Sequence, residues 1–155
     1  MNKTGLDHAW IARHIPHQGS MCLLDSVETW DEHSIRCRAV SHRVVNNPLR
    51  AHGRLGASSG IEYAAQAMAV HGALLAPPGS VRARFGYLVS ARGVRLLVAR
   101  LDDIGADLLV AAVCTTRSEN NIIYQFSITA AERLLLEGRA TVVLNADTST
   151  AEEGS

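Results

Sequence analysis

The longest apolar run in the chain covers residues 60–76, GIEYAAQAMAVHGALLA, and is interrupted only by a glutamate, a glutamine and a histidine. Two serines, Ser58 and Ser59, precede the run, and the sequence PPG follows it. These flanks are typical of a helix start and a helix stop, so we expect one helix, capped by either serine and about 25 Å long. A helix that is apolar on all sides must be enclosed by the rest of the domain.

The pattern on both sides of this helix is mostly of the β type. Residues 21–30 and 34–40 are rich in apolar and β-branched side chains and flank the polar turn DEH, which predicts a hairpin. After the helix, the pattern is of the β type over five segments, 82–91, 94–101, 108–117, 121–131 and 134–145. From these segments we expect about four antiparallel strands. SENN, residues 118–121, predicts a clear turn and AER, residues 131–133, a weaker one. Within IYQFSIT, the side chains of Tyr124, Phe126 and Ile128 share one face.

The order of these elements predicts the architecture. A short helix at 7–14, with Asp7 as its cap and Pro16 as its stop, comes before the first hairpin. A curved antiparallel sheet wrapped around the long helix would enclose it, which is an α+β fold of the hot-dog type. We expect one domain over residues 1–146 and a disordered polar tail over 147–155. Such sheets pair edge to edge in dimers, which covers an exposed edge strand.

Composition and charge argue against several classes of function and site. The 155 residues are 47% hydrophobic and 19% charged, and 15 basic residues balance 15 acidic ones. Net charge therefore gives no support to a nucleic-acid or membrane-surface role. The three cysteines are widely spaced without a CxxC pair, which predicts reduced thiols and neither disulfides nor a zinc site. The first residues contain no apolar stretch of the signal-peptide type, so we expect a soluble cytoplasmic protein.

Glu62 is the acidic residue inside the apolar run, and a buried carboxylate needs a partner. One interpretation is an ordinary acid that reaches water and complements the helix dipole. The other is a functional acid, because Ile61, Tyr63 and Ala65 make its surroundings apolar and favour the protonated form that can donate a proton. Gln66, one turn later, could hydrogen-bond the carboxyl group.

His17, in IPHQGSMCLLD, is the second candidate, because Pro16 restricts the backbone before it and Gly19 permits a sharp turn after it. An imidazole held in this way can act as a general base, although the spacing alone slightly favours a loop histidine that bonds a backbone carbonyl.

Three other side chains invite simpler interpretations. His71 is expected to be a satisfied core or helix-end histidine. Cys22 is expected to be an inert buried thiol, since it lies in an apolar segment. His14 is not aligned with His17 for a metal, because Pro16 breaks the helical spacing, so we expect no metal site.

Two linked motifs, IPHQGSMCLLDSV and GIEYAAQAMA, resemble the hot-dog 3-hydroxyacyl-[acyl-carrier-protein] dehydratases of the FabA/FabZ group, in particular their ApeP-like branch. That branch carries a PH..PM.LLD segment and an EY.AQ helix. The matching residues are Pro16, His17, Met21, Leu23, Leu24, Asp25, Glu62, Tyr63, Ala65 and Gln66. The segments 84–98 and 134–144 are also similar to this branch.

The resemblance implies a mechanism. A histidine removes the C2 proton of a 3-hydroxyacyl thioester, and a carboxylic acid on the helix protonates the departing 3-hydroxyl group, leaving the trans-2-enoyl thioester and water. A backbone N–H at the helix N-terminus, with Gly60 offering close access, polarises the thioester carbonyl. The elimination needs no metal or redox cofactor, and the substrate is carried on the phosphopantetheine of an acyl carrier protein, in fatty-acid or aryl-polyene-like biosynthesis.

One departure concerns the catalytic base. FabA/FabZ enzymes carry their histidine in a GHFPG-like loop before the helix, and the loop VVNNPLRAHGRLG has no such motif. His52 lies in that loop but only ten residues before Glu62. We therefore expect His17 to be the base, with His52, or the loss of any catalytic histidine, as the alternatives.

Substrate and partner contacts complete the prediction. The acyl chain is expected to contact Gly60, Tyr63, Gln66, Met68 and Phe85. A run of arginines without acids, Arg82, Arg84, Arg92, Arg95 and Arg100, is either a solvated strand face or a basic patch that docks an acidic carrier protein. The rival functions are a hot-dog acyl thioesterase, in which the carboxylate activates water, and a non-catalytic acyl-binding subunit.

Overall fold

The computed structural model describes residues 5–15, 21–76 and 86–144. Two helices and six strands follow in chain order: α1 (His8–His14), β1 (Ser26–Trp30), β2 (Ser34–Ala39), α2 (Gly60–Leu75), β3 (Gly86–Leu96), β4 (Leu108–Arg117), β5 (Asn121–Ala130) and β6 (Arg133–Leu144). The strands form one antiparallel sheet in the order β1-β2-β4-β5-β6-β3. This is the predicted α+β hot-dog architecture. No helix among the described residues is long and apolar enough to span a membrane.

The core lies between α2 and the inner face of the sheet. On β5, Ile122, Tyr124, Phe126, Ile128 and Ala130 are buried, and the residues between them are not. This period of two confirms the predicted inner face of that strand. Helix α2 buries residues on several sides, as its uniformly apolar sequence requires.

The local signals at α1 and at the hairpins are confirmed. The Asp7 carboxylate accepts a hydrogen bond from the N–H of Trp10, at 3.0 Å, and so caps α1. Asp31 closes the β1–β2 turn by accepting from the N–H groups of His33 and Ser34, each at 2.8 Å. Residues 118–121 connect β4 to β5, with the Ser118 N–H donating to the carbonyl of Asn121. Pro16, the predicted stop of α1, lies outside the described residues.

Three expectations about element boundaries are wrong. The segments 82–91 and 94–101 are not two strands, because the single strand β3 continues through an irregularity between Arg92 and Arg95. Gly93, with φ +60°, lies in that irregularity, which looks like a turn in the sequence. Residues 21–25 precede β1 without being part of it. Neither serine side chain caps α2, whose start is instead continuous with a 3₁₀ turn over Ala57–Ser59.

His71 is a satisfied core histidine, as expected. Its Nδ1 lies 2.7 Å from the Tyr124 hydroxyl, and its Nε2 lies 2.8 Å from the carbonyl oxygen of Asp31. A carbonyl only accepts, so Nε2 carries the proton and Tyr124 donates to Nδ1. Burial lowers the pKa of His71, which keeps the ring neutral. The ring thus joins α2 to β5 and to the β1–β2 turn.

Candidate active site

The N-terminus of α2 is fixed by the connection that follows β3. The N–H of Ala57 donates to the carbonyl of Ala99, at 3.1 Å, and the N–H of Leu101 donates to the carbonyl of Leu55, at 2.7 Å. The Asp102 carboxylate accepts from the N–H of Leu55, at 2.8 Å. The Arg100 guanidinium bonds the same carboxylate and holds the pKa of Asp102 well below its usual range. This arrangement sets the direction in which α2 enters the core.

Gly60 begins α2 and lies close to side chains of the sheet. A Cβ atom at this position would lie 2.8 Å from both terminal methyl groups of Leu136 and 3.0 Å from that of Ile128. Only glycine therefore fits here without displacing the side chains of β5 and β6. The N–H of Gly60 donates to the carbonyls of Ala57 and Ser58 within the 3₁₀ turn.

Glu62 lies in the first turn of α2 and is half-buried. Ile61 and Ala65, which neighbour it on the helix surface, are half-buried as well, whereas Tyr63 and Ala64 are fully buried. The carboxyl group thus lies at the boundary of the apolar core, near the positive end of the helix dipole. Because the side chain is neither enclosed nor fully solvated, it matches neither the solvated acid nor the fully apolar surroundings that the sequence suggested as alternatives.

Gln66, one turn further along α2, is fully buried and binds the chain segment 21–25. Its amide oxygen accepts from the N–H of Leu23, at 2.8 Å, and its amide nitrogen donates to the carbonyl of Met21, at 2.6 Å. The Gln66 amide therefore bonds the backbone of this segment, whereas we expected it to bond the Glu62 carboxyl group. Gln66 instead attaches the segment that follows His17 in the chain to α2.

Tyr63 is the centre of a second buried network, which sequence reasoning missed. The Ser41 hydroxyl donates to the carbonyl of Leu23, at 2.7 Å, so the Tyr63 hydroxyl, 2.8 Å away, donates to Ser41 Oγ. The Asn47 amide donates to Tyr63 Oη, at 3.1 Å, and to the carbonyl of Ser41, at 2.8 Å. These partners are 16 to 22 residues from Tyr63 in the chain, and no local pattern signals them.

Comparison with known proteins identifies the family. The family model described as ApeP-like, the ApeP dehydratase, matches residues 9–153. The chain belongs to the ApeP-like dehydratase family. None of the curated proteins matches the sequence significantly.

Solved structures share the fold of this ApeP-like dehydratase. The dehydratase heterocomplex ApeI:P from Xenorhabdus doucetiae matches with a TM-score of 0.79 and 23% identity, over 92% of this chain and 95% of that one. A thioesterase from Haemophilus influenzae matches with a TM-score of 0.57 and 15% identity, over 77% and 76% of the two chains. A hypothetical thioesterase with coenzyme A from Streptococcus pneumoniae matches with 0.58 and 16%, over 77% and 87%. At these identities the likeness establishes the hot-dog fold.

Some predicted site residues of this ApeP-like dehydratase lie in the core, and others lie outside the described residues. Tyr63 and Gln66 are completely buried, and Met68 is 3% exposed, so all three are core residues whose contact with an acyl chain stays a prediction. Gly60 is buried too, and its N–H already has acceptors, so its role as carbonyl donor also stays a prediction. His17 and Phe85 lie outside the described residues.

His52, the alternative base, lies in a tight turn on the surface. Its backbone has φ 55°, and Ala51 and Arg54 on either side of the turn exchange hydrogen bonds at 2.8 and 3.0 Å. The residue is exposed, as are all members of this turn. An exposed imidazole at a turn tip lacks the apolar surroundings of Glu62, and the choice between His17 and His52 as the base stays a prediction.

The arginine run is partly neutralised by acids that the linear sequence places elsewhere. Arg95 on β3 forms an ion pair with Glu137 on β6, and Arg100 forms one with Asp102. Arg92 is exposed, whereas Arg82 and Arg84 lie outside the described residues. Acids therefore balance two of the described arginines, Arg95 and Arg100, and a docking patch for a carrier protein stays a prediction.

The thiols do not form a reactive centre. Cys22 and Cys37 are buried, Cys114 is half-buried, and all three are free. Burial raises the pKa of Cys22 and raises that of Cys37 to about 12, so both remain protonated and unreactive near neutral pH. Within residues 5–15, 21–76 and 86–144, no three acidic, histidine or cysteine side chains are grouped to hold a metal ion.

Proposed function

We propose that this dehydratase converts a 3-hydroxyacyl thioester on an acyl carrier protein to the trans-2-enoyl thioester. Membership of the ApeP-like dehydratase family is the observation that carries the proposal. The half-buried carboxyl group of Glu62, in the first turn of the central helix, supports it, because an acid at the edge of an apolar core can transfer a proton to a bound substrate.

In the proposed reaction, His17 removes a proton from C2 and Glu62 protonates the 3-hydroxyl group as its bond to C3 breaks. The electron pair of the C2–H bond becomes the new double bond, and one water molecule leaves. Negative charge that develops on the thioester oxygen is favoured near the α2 N-terminus, because this is the positive end of the helix dipole. The substrate is neither oxidised nor reduced, so the reaction requires no redox cofactor.

The assignment of His17 is supported by the described residues on both sides of it. Ile15, two residues earlier, is buried at the end of α1, and Met21, four residues later, is bonded to Gln66 of α2. Gln66 lies one helical turn from Glu62, so Met21 is held near the candidate acid. Four residues of chain span at most about 14 Å, which is enough for the chain between Met21 and His17 to reach Glu62.

We infer that a second hot-dog subunit completes the assembly. Strand β3 is an edge strand of 11 residues that pairs only with β6 in the described sheet. Along α2, small or apolar side chains at Ile61, Ala65 and Ala69 are half-buried in the single chain. A homodimer would cover both features, and so would a pair with a related chain, by analogy with the heterocomplex from Xenorhabdus doucetiae.

Carrier-protein docking is the remaining part of the proposal. We propose that Arg82, Arg84 and Arg92 attract an acidic carrier protein. Arg95 contributes less, since Glu137 already balances its charge.

The deciding experiment incubates the protein, alone and with any co-purifying subunit, with a 3-hydroxyacyl carrier protein and follows its mass. We expect the wild type to remove one water while the thioester stays intact. Glu62→Gln and His17→Ala should each lower the rate by about 10²–10⁴-fold. His52→Ala is the matched control and should retain the wild-type rate.

The same assay separates the rival functions. Release of a free acid and a free thiol would indicate a thioesterase, whose fold this chain shares. An unchanged rate in Glu62→Gln would contradict the proposed acid. If His52→Ala alone lost activity, His52 and not His17 would be the general base.

A further inference from the structure

The outer face of the sheet, opposite α2, carries a pocket with a volume of about 360 Å³. Its lining comes from strands β3, β4, β5 and β6 and does not include Glu62. The register places Val113, Gln125, Arg139 and Arg92 in one row across these four strands. All four of these side chains are exposed.

Two arginines in this row stand directly opposite each other. Arg92 on β3 pairs in register with Arg139 on β6, so their Cα atoms are about 4.5–5.5 Å apart and both side chains leave the same face. Like charges at directly opposite positions destabilise a sheet. The adjacent row shows the usual solution, since Arg95 stands opposite Glu137 and forms an ion pair with it.

Neither arginine of the pair has such a partner within the described part of the chain. No acidic group among residues 5–15, 21–76 and 86–144 forms an ion pair with Arg92 or Arg139. Glu137 is the one carboxylate in the described lining of the pocket, and Arg95 engages it. The pocket therefore presents two positive charges that the described residues do not balance.

The shape and polar lining of the pocket suit a compact anion. Gly93 lies beside Arg92 in the irregularity of β3, and the space where its side chain would be is open. Gln125 and Ser127 line the floor and offer an amide and a hydroxyl donor. Guanidinium groups bind phosphate oxygens in a bidentate manner, and two of them can share one phosphoryl group.

We propose that Arg92 and Arg139 form a binding site for a phosphoryl group on the outer face of the sheet, separate from the candidate active site. The group can belong to a free phosphorylated small molecule or to the phosphate ester of a carrier's prosthetic arm. The site is separate from the proposed reaction centre, because none of its residues takes part in the proton transfers, although Arg92 is also one of the arginines that we propose to attract the carrier protein.

Calorimetric titration of the full-length protein near physiological salt tests the site. The probes are inorganic pyrophosphate, 4′-phosphopantetheine and pantetheine, which lacks the phosphate. We expect the two phosphorylated probes to bind the wild type and pantetheine not to bind. Tighter binding of pyrophosphate would identify a free small molecule as the ligand, and tighter binding of phosphopantetheine would identify the carrier's ester.

Single substitutions test whether Arg92 and Arg139 form the phosphoryl-binding site. Arg92→Gln and Arg139→Gln should each weaken binding of the phosphorylated probes by about tenfold or more, because each removes a charge-assisted donor. Arg36→Gln is the matched control, since Arg36 is exposed on the same sheet and likewise forms no ion pair with a described residue. Size-exclusion chromatography confirms that all three variants keep the wild-type assembly.

Two results would overturn the inference. Unchanged affinity in Arg139→Gln would show that the opposed pair does not bind the probe. An equal loss in Arg36→Gln would show a diffuse basic face, of the kind that docks a macromolecule, in place of a defined phosphoryl site.

Discussion

Replacing Gln66 by methionine removes the amide that attaches segment 21–25 to α2 while keeping a side chain of similar length. The N–H of Leu23, a residue only 1% exposed, would lose its acceptor, and a buried unsatisfied donor costs about 1–3 kcal/mol. Met21 is 37% exposed, so water can replace the second bond at a cost of less than about 1 kcal/mol. We therefore expect Gln66→Met to lower the free energy of unfolding by about 1–4 kcal/mol.

Urea unfolding at constant pH measures this change, with Gln125→Met as the matched control. Gln125 is exposed on the outer face of β5, so its substitution should change stability by less than about 0.5 kcal/mol. The dehydration rate, measured where the variant is fully folded, should also fall for Gln66→Met, because His17 lies four residues before Met21.

Either of two results would refute this reasoning. If Gln66→Met and Gln125→Met unfold at the same urea concentration, the buried amide does not hold the segment. If Gln66→Met is destabilised but keeps the wild-type rate, the segment does not position a catalytic group, and the assignment of His17 fails.

Three further predictions concern the frame around the site. Burial lowers the pKa values of His42 and His71, so below about pH 6.5 the unfolded chain binds protons that the folded chain excludes. The contribution of the two neutral histidines to the free energy of unfolding should therefore be fully present above about pH 7. It should decrease toward pH 5, by up to about 1.4 kcal/mol per pH unit for each histidine. A constant free energy of unfolding across this range would contradict the assignment. Gly60→Ala should destabilise the fold by about 1–3 kcal/mol in urea unfolding, because the added methyl overlaps core side chains, and a gain in stability would show that the helix start can shift. Asp102→Ala should lower the thermal midpoint more than Asp102→Asn, which keeps an acceptor for the N–H of Leu55, and equal midpoints would exclude that bond as the cause.

The sequence predicts elements well where the signals are local. The apolar run ending at PPG matches α2, Gly60–Leu75, and the periodicity and turn residues place β4 and β5 within one residue of their observed bounds. Predictions fail where long-range contacts decide the conformation. Residues 21–25 look like a strand because they are apolar, but the side chains of Gln66 and Ser41, 18 to 45 residues away, hold them outside the sheet.

The three polar residues of the apolar helix show why the candidate site could be predicted only in part. All three look alike in the sequence, as polar groups in an apolar run, and each could be catalytic or structural. The fold distinguishes them by burial: Gln66 and His71 are fully enclosed and bonded to distant backbone carbonyls, whereas Glu62 remains half-buried at the boundary of the core. Their substitutions should therefore have opposite consequences. Changes at Gln66 or His71 leave buried groups unsatisfied and reduce stability, while Glu62→Gln, a nearly isosteric change at a partly exposed position, should reduce the rate and leave the unfolding curve almost unchanged. A large loss of stability in Glu62→Gln would place this residue with the other two and remove the structural argument for a catalytic acid.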